Sequence, residues 1–392
     1  MISDISIKNF KSVVDVNLPL GRFNLLIGAN GCGKSNILEG IALGAAASAD
    51  KLDYEYFANR GIRVVEPRFM ISAFEDADNK TITINVNGEE KYSPTFNILY
   101  NSNSKPARWE TDSKDINMVL NDIIHLIPQD HPQTEDVLKL IKQIEQSEKN
   151  IPNFIRLKQA NKNHAELMAV NPDLRQFLIY SLEESKLRQA DNSNRTYPLG
   201  RHGEGLFAYL KELAQRPEST AFFDEIKENL KILDWFDDME VPSGQLSMEF
   251  NLKLKDVFLS DTINTFDQRS TNEGFLYLLF YFTLVISDET PRFFAIENID
   301  TAFNPKLCRE VVKRLVVLAK KHDKQIIATT HNPAILDGLD LDDDEQKLMV
   351  VQRSIDGYTK VRTLKKEEVV NSDLSLSQLW LRGFIGGLPN NF

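Results

Sequence analysis

The chain has 392 residues, 42% hydrophobic and 26% charged, with a formal net charge of −11. That balance fits a globular protein of two or three structural units and gives no overall attraction for nucleic acid, although a local basic groove stays open. No apolar run is long enough to cross a bilayer as a helix, the alternating start Met1–Ile7 lacks the charged and apolar regions of a signal peptide, and two widely spaced cysteines point to a reducing cytoplasm rather than a disulfide scaffold.

Ile2–Ile7 and Val13–Leu18 alternate and predict two antiparallel strands around the polar turn Asn9-Phe10-Lys11-Ser12. Lys8 and Lys11 have two readings: solvated turn lysines, or contacts to the ligand of the loop that follows. Phe23–Ile27 predicts a buried strand, and 35–47 predicts a helix with Ile37, Leu38, Ile41, Ala42 and Ala45 on one face. Between them, Gly28-Ala29-Asn30-Gly31-Cys32-Gly33-Lys34-Ser35 satisfies G-x-x-x-x-G-K-[ST] at every fixed position. Its glycines let backbone N–H groups turn inward around an anion, and the following helix N-terminus adds partial positive charge. The pattern predicts a site for ATP and Mg²⁺. Asn30, Gly31, Cys32, Gly33, Lys34, Ser35 and Asn36 form the cradle, Lys34 reaches the β- and γ-phosphates, and the Ser35 hydroxyl binds the metal.

Residues 63–65, 69–74, 81–86 and 95–100 read as strands separated by the polar breaks Asp76–Asn79 and Asn87-Gly88, which predicts an antiparallel β subdomain. The pattern turns helical from about Asp112 to Arg195. Val137, Leu140, Ile141 and Ile144 make a stripe that Pro152 stops, and Leu157, Ala160, Leu167 and Met168 continue it weakly. The heptads do not persist, which excludes a long coiled-coil arm. Asp191–Asn194 reads as a linker. The glycine-rich Leu199–Leu206 then turns into a helix through Leu213, a second helix spans 222–233, and 246–258 returns to sheet. The expected organisation is residues 1–110 as the first part of a head, 111–240 as a helical insert and 241–392 as the second part of the head.

Asp267–Gly274 is a polar loop before an apolar helix over 275–286, which is either an anion site or an ordinary helix cap. Residues 292–298 form an apolar strand ending in Glu297, the layout that delivers a carboxylate to a Mg²⁺ shell. Asn298 follows, and a neutral amide cannot accept a water's proton. Asp300–Pro305 leads into an amphipathic helix over 307–321. Residues 325–330 form the next buried strand, with His331 at its end, where open α/β sheets place ligand-contacting groups. Residues 339–345 read as a solvated acidic loop, and 348–353 with 359–362 as a hairpin around Asp356-Gly357. The apolar stretch Leu379–Pro389 reads equally as packing onto the head or as a docking strip.

The strand, the Asn9–Ser12 turn and the second strand, followed by the phosphate loop, the loop at 267–274, the acid-ended strand, the Asp300–Pro305 turn and His331, occur in the order of the ABC-type ATPases of the SMC/RecF group. The chain resembles bacterial members of the overcoming-lysogenisation and RecF-like type, AAA-family ATPases often encoded in defence operons. The resemblance implies an α/β P-loop NTPase head of ABC type, with an antiparallel β subdomain and an inserted helical subdomain. It makes Glu297 the Walker B acid and a metal ligand with Ser35. It places Ser270, Asn272 and Gly274 in a signature-like loop that binds the γ-phosphate held by the other subunit, although the usual Ser-x-Gly-Gly wording is absent. Asp300–Pro305 takes the place of the D-loop beside the partner's site, and His331 that of the switch histidine. Asn298 stands where the family carries its catalytic Glu, which implies slow hydrolysis, with Asp300 or a group elsewhere as substitute. Many stand-alone relatives are encoded in anti-phage defence operons beside a separate effector, often a nuclease, and this sequence shows no metal-spaced His/Asp/Glu set outside the ATP site. The leading expectation is a cytoplasmic homodimeric ATP-binding sensor or scaffold that regulates such an effector in anti-phage defence, with no membrane partner. The alternatives are a RecF-like DNA-repair clamp, marked by a basic stripe and salt-steep DNA binding, and an assembly protein that holds ATP structurally.

Overall fold

The computed structural model describes residues 1–74, 81–88, 94–104, 107–111, 172–189, 198–242, 252–260, 265–369 and 373–388. Strands β1 (Ile2–Phe10) and β2 (Val13–Pro19) form the expected hairpin, and its turn places Asn9 and Lys11 at positive φ. β3 (Phe23–Ile27) runs into the glycine loop and then α1 (Lys34–Ser48). Two short helices follow, α2 (Tyr54–Asn59) and α3 (Pro67–Met70). The strands expected at 63–65 and 69–74 do not form. Val64 and Val65 are exposed with no sheet to cover them, Pro67 sits at the start of α3 where its missing N–H costs nothing, and only Ile71 makes a bridge, to Phe10. β4 (Ile82–Gly88), β5 (Thr95–Asn101) and β6 (Arg108–Thr111) extend the hairpin into an antiparallel sheet ordered β2-β1-β4-β5-β6.

The chain re-enters the described structure with α4 (Pro172–Arg175), β7 (Ile179–Tyr180), α5 (Glu184–Leu187), α6 (Leu206–Ala214) and α7 (Thr220–Leu230). β8 (Phe236–Glu240), β9 (Lys253–Asp256) and β10 (Thr265–Asp267) make a small antiparallel sheet. Then come α8 (Glu273–Ile286), β11 (Phe293–Ile296), α9 (Pro305–Lys321), β12 (Gln325–Thr329), β13 (Gln346–Arg353), β14 (Thr359–Thr363) and α10 (Leu376–Leu381). The expected stripes at Val137–Ile144 and Leu157–Met168 and the linker Asp191–Asn194 lie outside the described residues. Residues 179–180 join the main sheet, and α6 and α7 enter its core, so this part of the 111–240 stretch is built into the head.

The main sheet is ordered β14-β13-β3-β12-β11-β7. It is parallel except at β14, which closes the hairpin with β13. Its inner strands β3, β12 and β11 are buried on both faces, as a covered parallel sheet requires. Phe23, Leu25 and Ile27 face a core built with α6, α7, α8 and α9, while Leu26, Ile327 and Met349 face α1 and the antiparallel sheet. The single polar side chain on β3, Asn24, is buried but satisfied: its amide donates to the Gly21 and Ile326 carbonyls and its oxygen accepts from the Gly21 N–H. α1 is buried nearly all round. Gly40 and Gly44 let it lie directly on β1 and β4, where a Cβ would come within 2.9 Å of Ile7 and 3.0 Å of Ile84. α8 is buried from Gly274 to Ile286, the pattern of a core helix. Each fully buried Leu or Phe contributes roughly 1.5–3 kcal/mol, so this helix fixes the loop at its N-terminus firmly. Among the described residues, no helix is long and apolar enough to cross a membrane.

Candidate functional site

The site lies at the C-terminal ends of the parallel strands, where open α/β sheets gather their ligand-binding loops. The register pairs Leu26 with Thr329 and Ile296 with Ala328, so β12 stands between the glycine loop after β3 and Glu297 after β11. The ladder alone brings Gly28, Thr330-His331 and Glu297 to one edge.

Gly28, Gly31 and Gly33 all have positive φ, at 153°, 73° and 113°. Two of them are also sterically required. A Cβ on Gly28 would lie 2.1 Å from the Val351 carbonyl oxygen, and one on Gly33 would lie 2.0 Å from the Thr359 hydroxyl. The loop is held from outside by Arg353, whose Nε donates to the Gly31 carbonyl at 2.8 Å, and by Thr359, whose hydroxyl donates to the Cys32 carbonyl at 3.0 Å. Lys34 is buried and folded over the loop, donating to the carbonyls of Gly28 (2.7 Å) and Ala29 (3.1 Å). Burial lowers its pKa, while Cys32 and Glu297 act in the opposite direction. The Ser35 hydroxyl donates to Glu297 Oε1 at 2.5 Å.

Asn36 faces away from this contact. Its amide donates to Ser12 Oγ at 2.7 Å, and its oxygen accepts from Arg63 at 3.0 Å. Behind it, the buried carboxylate of Glu39 pairs with both Lys11 and Arg63, and burial lowers the Lys11 pKa against the pull of Glu39. Lys11 is therefore a structural cation under α1, and Lys8 pairs with Asp15 at the surface, 3.0 Å away.

β12 hooks the turn after β11. The Asn298 N–H donates to Thr329 Oγ1 at 3.0 Å, the Ile299 N–H to the Thr329 carbonyl at 3.0 Å, and the Thr330 hydroxyl to Asp300 Oδ1 at 2.6 Å. Asn298 is exposed and sits at φ 50°, a left-handed conformation that Asn tolerates better than most residues. Desolvation and the Lys34 ammonium lower the His331 pKa, with Asp300 opposing, a shift that favours the uncharged imidazole.

Asn272 caps α8, its side-chain oxygen accepting from the Phe275 N–H at 2.9 Å. Gly274 is buried against the Asp300–Phe303 turn, where a Cβ would come 3.2 Å from the Ala302 carbonyl oxygen. Arg188 braces the preceding loop by donating to the carbonyls of Gln268, Arg269 and Thr271, which leaves Ser270 exposed. The structure thus brings Lys34, Ser35, Glu297, Asp300 and His331 together and seats Gly274 beside the Asp300–Phe303 turn, with Asn272 capping the helix that carries it and Ser270 exposed on the preceding loop. The sequence reading missed Thr329, Thr330, Arg353, Thr359 and Arg201. The last, on the glycine-rich stretch, pairs its carbonyl with the Ser181 N–H at 2.9 Å and feels the Glu297 charge, while burial lowers its pKa. Apart from Arg201, which lies on that stretch, none of these positions carries a local pattern. Strand register alone brings the threonines to the candidate site.

The residues fit a magnesium-bound nucleotide. Ser35 and Glu297 supply hard oxygen donors. Lys34 supplies a cation held at the loop, and the Cβ position of Gly31 meets nothing within 4 Å, which leaves that side of the cradle clear.

A family model described as AAA domain, putative AbiEii toxin, type IV TA system matches residues 23–337. The solved structure of an SMC head bound to the C-winged helix domain of ScpA is similar over 94% of this chain and 99% of that chain, at 14% identity and a TM-score of 0.53. The SMC head domain from Thermotoga maritima is similar over 93% and 99%, at 13% identity and a TM-score of 0.46. No curated protein matches the chain by sequence. The first of these likenesses establishes the SMC-head form of the P-loop NTPase fold.

Proposed function

The chain belongs to the AAA-domain family described as putative AbiEii toxin, type IV TA system, and we propose that it works as a dimeric ATP switch controlling a separate effector protein in bacterial anti-phage defence. Membership makes it an ATPase of the AAA/SMC-like type. The observation that carries the reading of the site is the 2.5 Å hydrogen bond from Ser35 to Glu297, which joins two motifs 262 residues apart in sequence. In our reading Asn30–Asn36 hold the phosphates, Lys34 exchanges its carbonyl partners for phosphate oxygens, and Ser35 with Glu297 holds Mg²⁺. The metal, when bound, neutralises charge on the phosphates. His331, at the end of β12, can donate one ring N–H to the terminal phosphate.

Asn298 can orient a water but cannot take its proton, so hydrolysis is slow and the ATP-bound state long-lived. Ser270, Gly274 and the N-terminal N–H groups of α8 offer the second half of the site to a nucleotide held by another copy, with the Asp300–Pro305 turn beside it. Asn272 contributes by capping the helix, since its side-chain oxygen is already engaged. Slow hydrolysis suits a timer that holds two heads closed until an effector, which we take to be a nuclease, is released. The unbridged Cys32 and Cys308 fit the reducing cytoplasm in which we place it.

Analytical ultracentrifugation tests this. Mg²⁺ and ATP should convert the protein to a dimer, ADP should not, and Lys34→Ala should stay monomeric with either. A partner co-purifying from native cells should be retained in ATP and lost in ADP. A chain that stays monomeric at saturating ATP refutes the switch. Tight DNA binding with a steep salt dependence refutes the effector reading in favour of a DNA clamp.

A further inference from the structure

The segment after α10 lies beside the phosphate loop, and nothing in the assigned site accounts for it. α10 is pinned to the head by Asp337, which accepts from the Ser377 N–H (2.9 Å) and hydroxyl (2.7 Å). The chain then turns tightly: Gly383 N–H donates to Trp380 O and Phe384 N–H to Leu379 O. Arg362, on β14, donates to the Ile385 carbonyl at 2.9 Å, and Trp380 and Ile385 are buried. This lays Gly386 and Gly387 on β13. A Cβ on Gly387 would lie 2.8 Å from Val350 Cγ1, 3.5 Å from the Gly28 Cα and 3.6 Å from Trp380 Nε1. The register explains the reach. Val350 pairs with Ile27, and Gly28 is the next residue. Gly28 is therefore enclosed by the Val351 carbonyl, the Cys32 sulfur and Gly387.

We propose that the segment Trp380–Gly387 is a positioning element for the phosphate loop, seated against Gly28 through Gly387, so that its docking and nucleotide binding favour one another. The inference rests on the nucleotide reading of the loop. Close-packed contacts of this kind resist displacement by even one methyl group. Coupling between two sites is reciprocal, so whatever loosens this segment weakens the nucleotide, and bound nucleotide tightens the segment.

The chain holds its own control. Gly383 and Gly387 share φ 79°, yet a Cβ on Gly383 meets nothing within 4 Å. Ala at either position carries the same positive-φ backbone, but only Gly387→Ala intrudes on Val350, while meeting Gly28 at ordinary contact distance, so that relief of the clash moves the segment or β13 beside the loop. Two readouts on the full-length protein decide: amide exchange of the 28–35 loop without nucleotide, and the affinity for Mg·ATP. Gly387→Ala should speed loop exchange and weaken ATP about tenfold, the size of an overpacked buried methyl carried into binding. Gly383→Ala should leave both near wild type. Arg362→Gln, which frees Ile385 without touching the loop, should act like Gly387→Ala, and it decides the question if Gly387→Ala does not fold. Equal behaviour of the two alanine variants, or unchanged loop exchange in Arg362→Gln, overturns the proposal. Wild-type protein that binds no ATP refutes the nucleotide reading instead, and the exchange comparison still judges the positioning role.

Discussion

Asn298→Asp should accelerate hydrolysis. Position 298 is at φ 50°, with its N–H on Thr329 and its carbonyl accepting from the Thr301 N–H and hydroxyl, so the main chain there is fixed from both sides. A Glu would bear the left-handed penalty of about 1 kcal/mol. Asp tolerates the conformation much as Asn does, and because residue 298 is exposed the new carboxylate stays hydrated. A positioned general base contributes ~10²–10⁴-fold. Asp is one methylene shorter than the family's Glu, so it should recover only part of this, at least about tenfold. Single-turnover phosphate release at saturating Mg·ATP measures it, with ATP affinity as the control that binding is unchanged. Asp300 is the competing candidate, and its Oδ1 already accepts from Thr330 at 2.6 Å. Brisk wild-type turnover that disappears in Asp300→Asn would refute the reasoning and move the catalytic carboxylate to residue 300.

Lys34→Ala should weaken ATP by at least about thirtyfold, from the ~2–5 kcal/mol that loss of a buried charged partner costs, with its melting curve near wild type. Titration with a fluorescent ATP analogue reads this. Thiol reagents at pH 8 should react at Cys32 rather than Cys308, because burial pushes the Cys308 thiol up to about 11. Cys32 is itself buried beside Gly28 and Lys34, so reaction should be slow, slower still with Mg·ATP, and should abolish binding. ATP affinity unchanged after modification of Cys32 would contradict the loop geometry. Lys324→Met should cost about 1–3 kcal/mol by denaturant unfolding without altering ATP affinity, since it strips the donor shared by Ser287 O, Thr290 O and Thr290 Oγ1. Burial lowers the Lys324 pKa to about 8, so the folded state binds fewer protons at this site than the unfolded chain between pH 8 and 10.5. Its contribution to stability rises with pH across that window and is flat below it, where both states hold the proton.

The parts of the site that were legible in the sequence are those whose chemistry is local. The glycine loop needs positive φ at fixed spacing, and a buried strand ending in an acid is five or six residues long, so each leaves a contiguous trace. The order of motifs then gave the head fold, because strands with polar ends at these spacings pack in few ways. What escaped was set by long-range register. Ile179-Tyr180 is too short to read as a strand, yet it pairs with Ala295-Ile296 and completes the sheet beside Glu297. Thr329 and Thr330 look like ordinary β-branched residues until β12 falls between β3 and β11. The false strands at 63–65 and 69–74 have the right apolar residues, but among the described residues only Ile71 finds a strand neighbour, the single bridge to Phe10, and Pro67 ends the alternation. Lys11 reads as a surface lysine on a turn, and only α1, which carries Glu39 inward, makes it an internal cation.

Ser35 and Glu297 together form the proposed metal-bearing site. Calorimetric titration of ATP into the wild-type protein and Glu297→Gln, each with Mg²⁺ and with EDTA, tests it directly. Mg²⁺ should tighten ATP in the wild type, and Glu297→Gln should lose about 10–100-fold of that enhancement, the usual cost of removing a carboxylate that orients a metal's ligands. Its affinity in EDTA should be close to wild type. A Mg²⁺ effect of full size in Glu297→Gln would contradict the account.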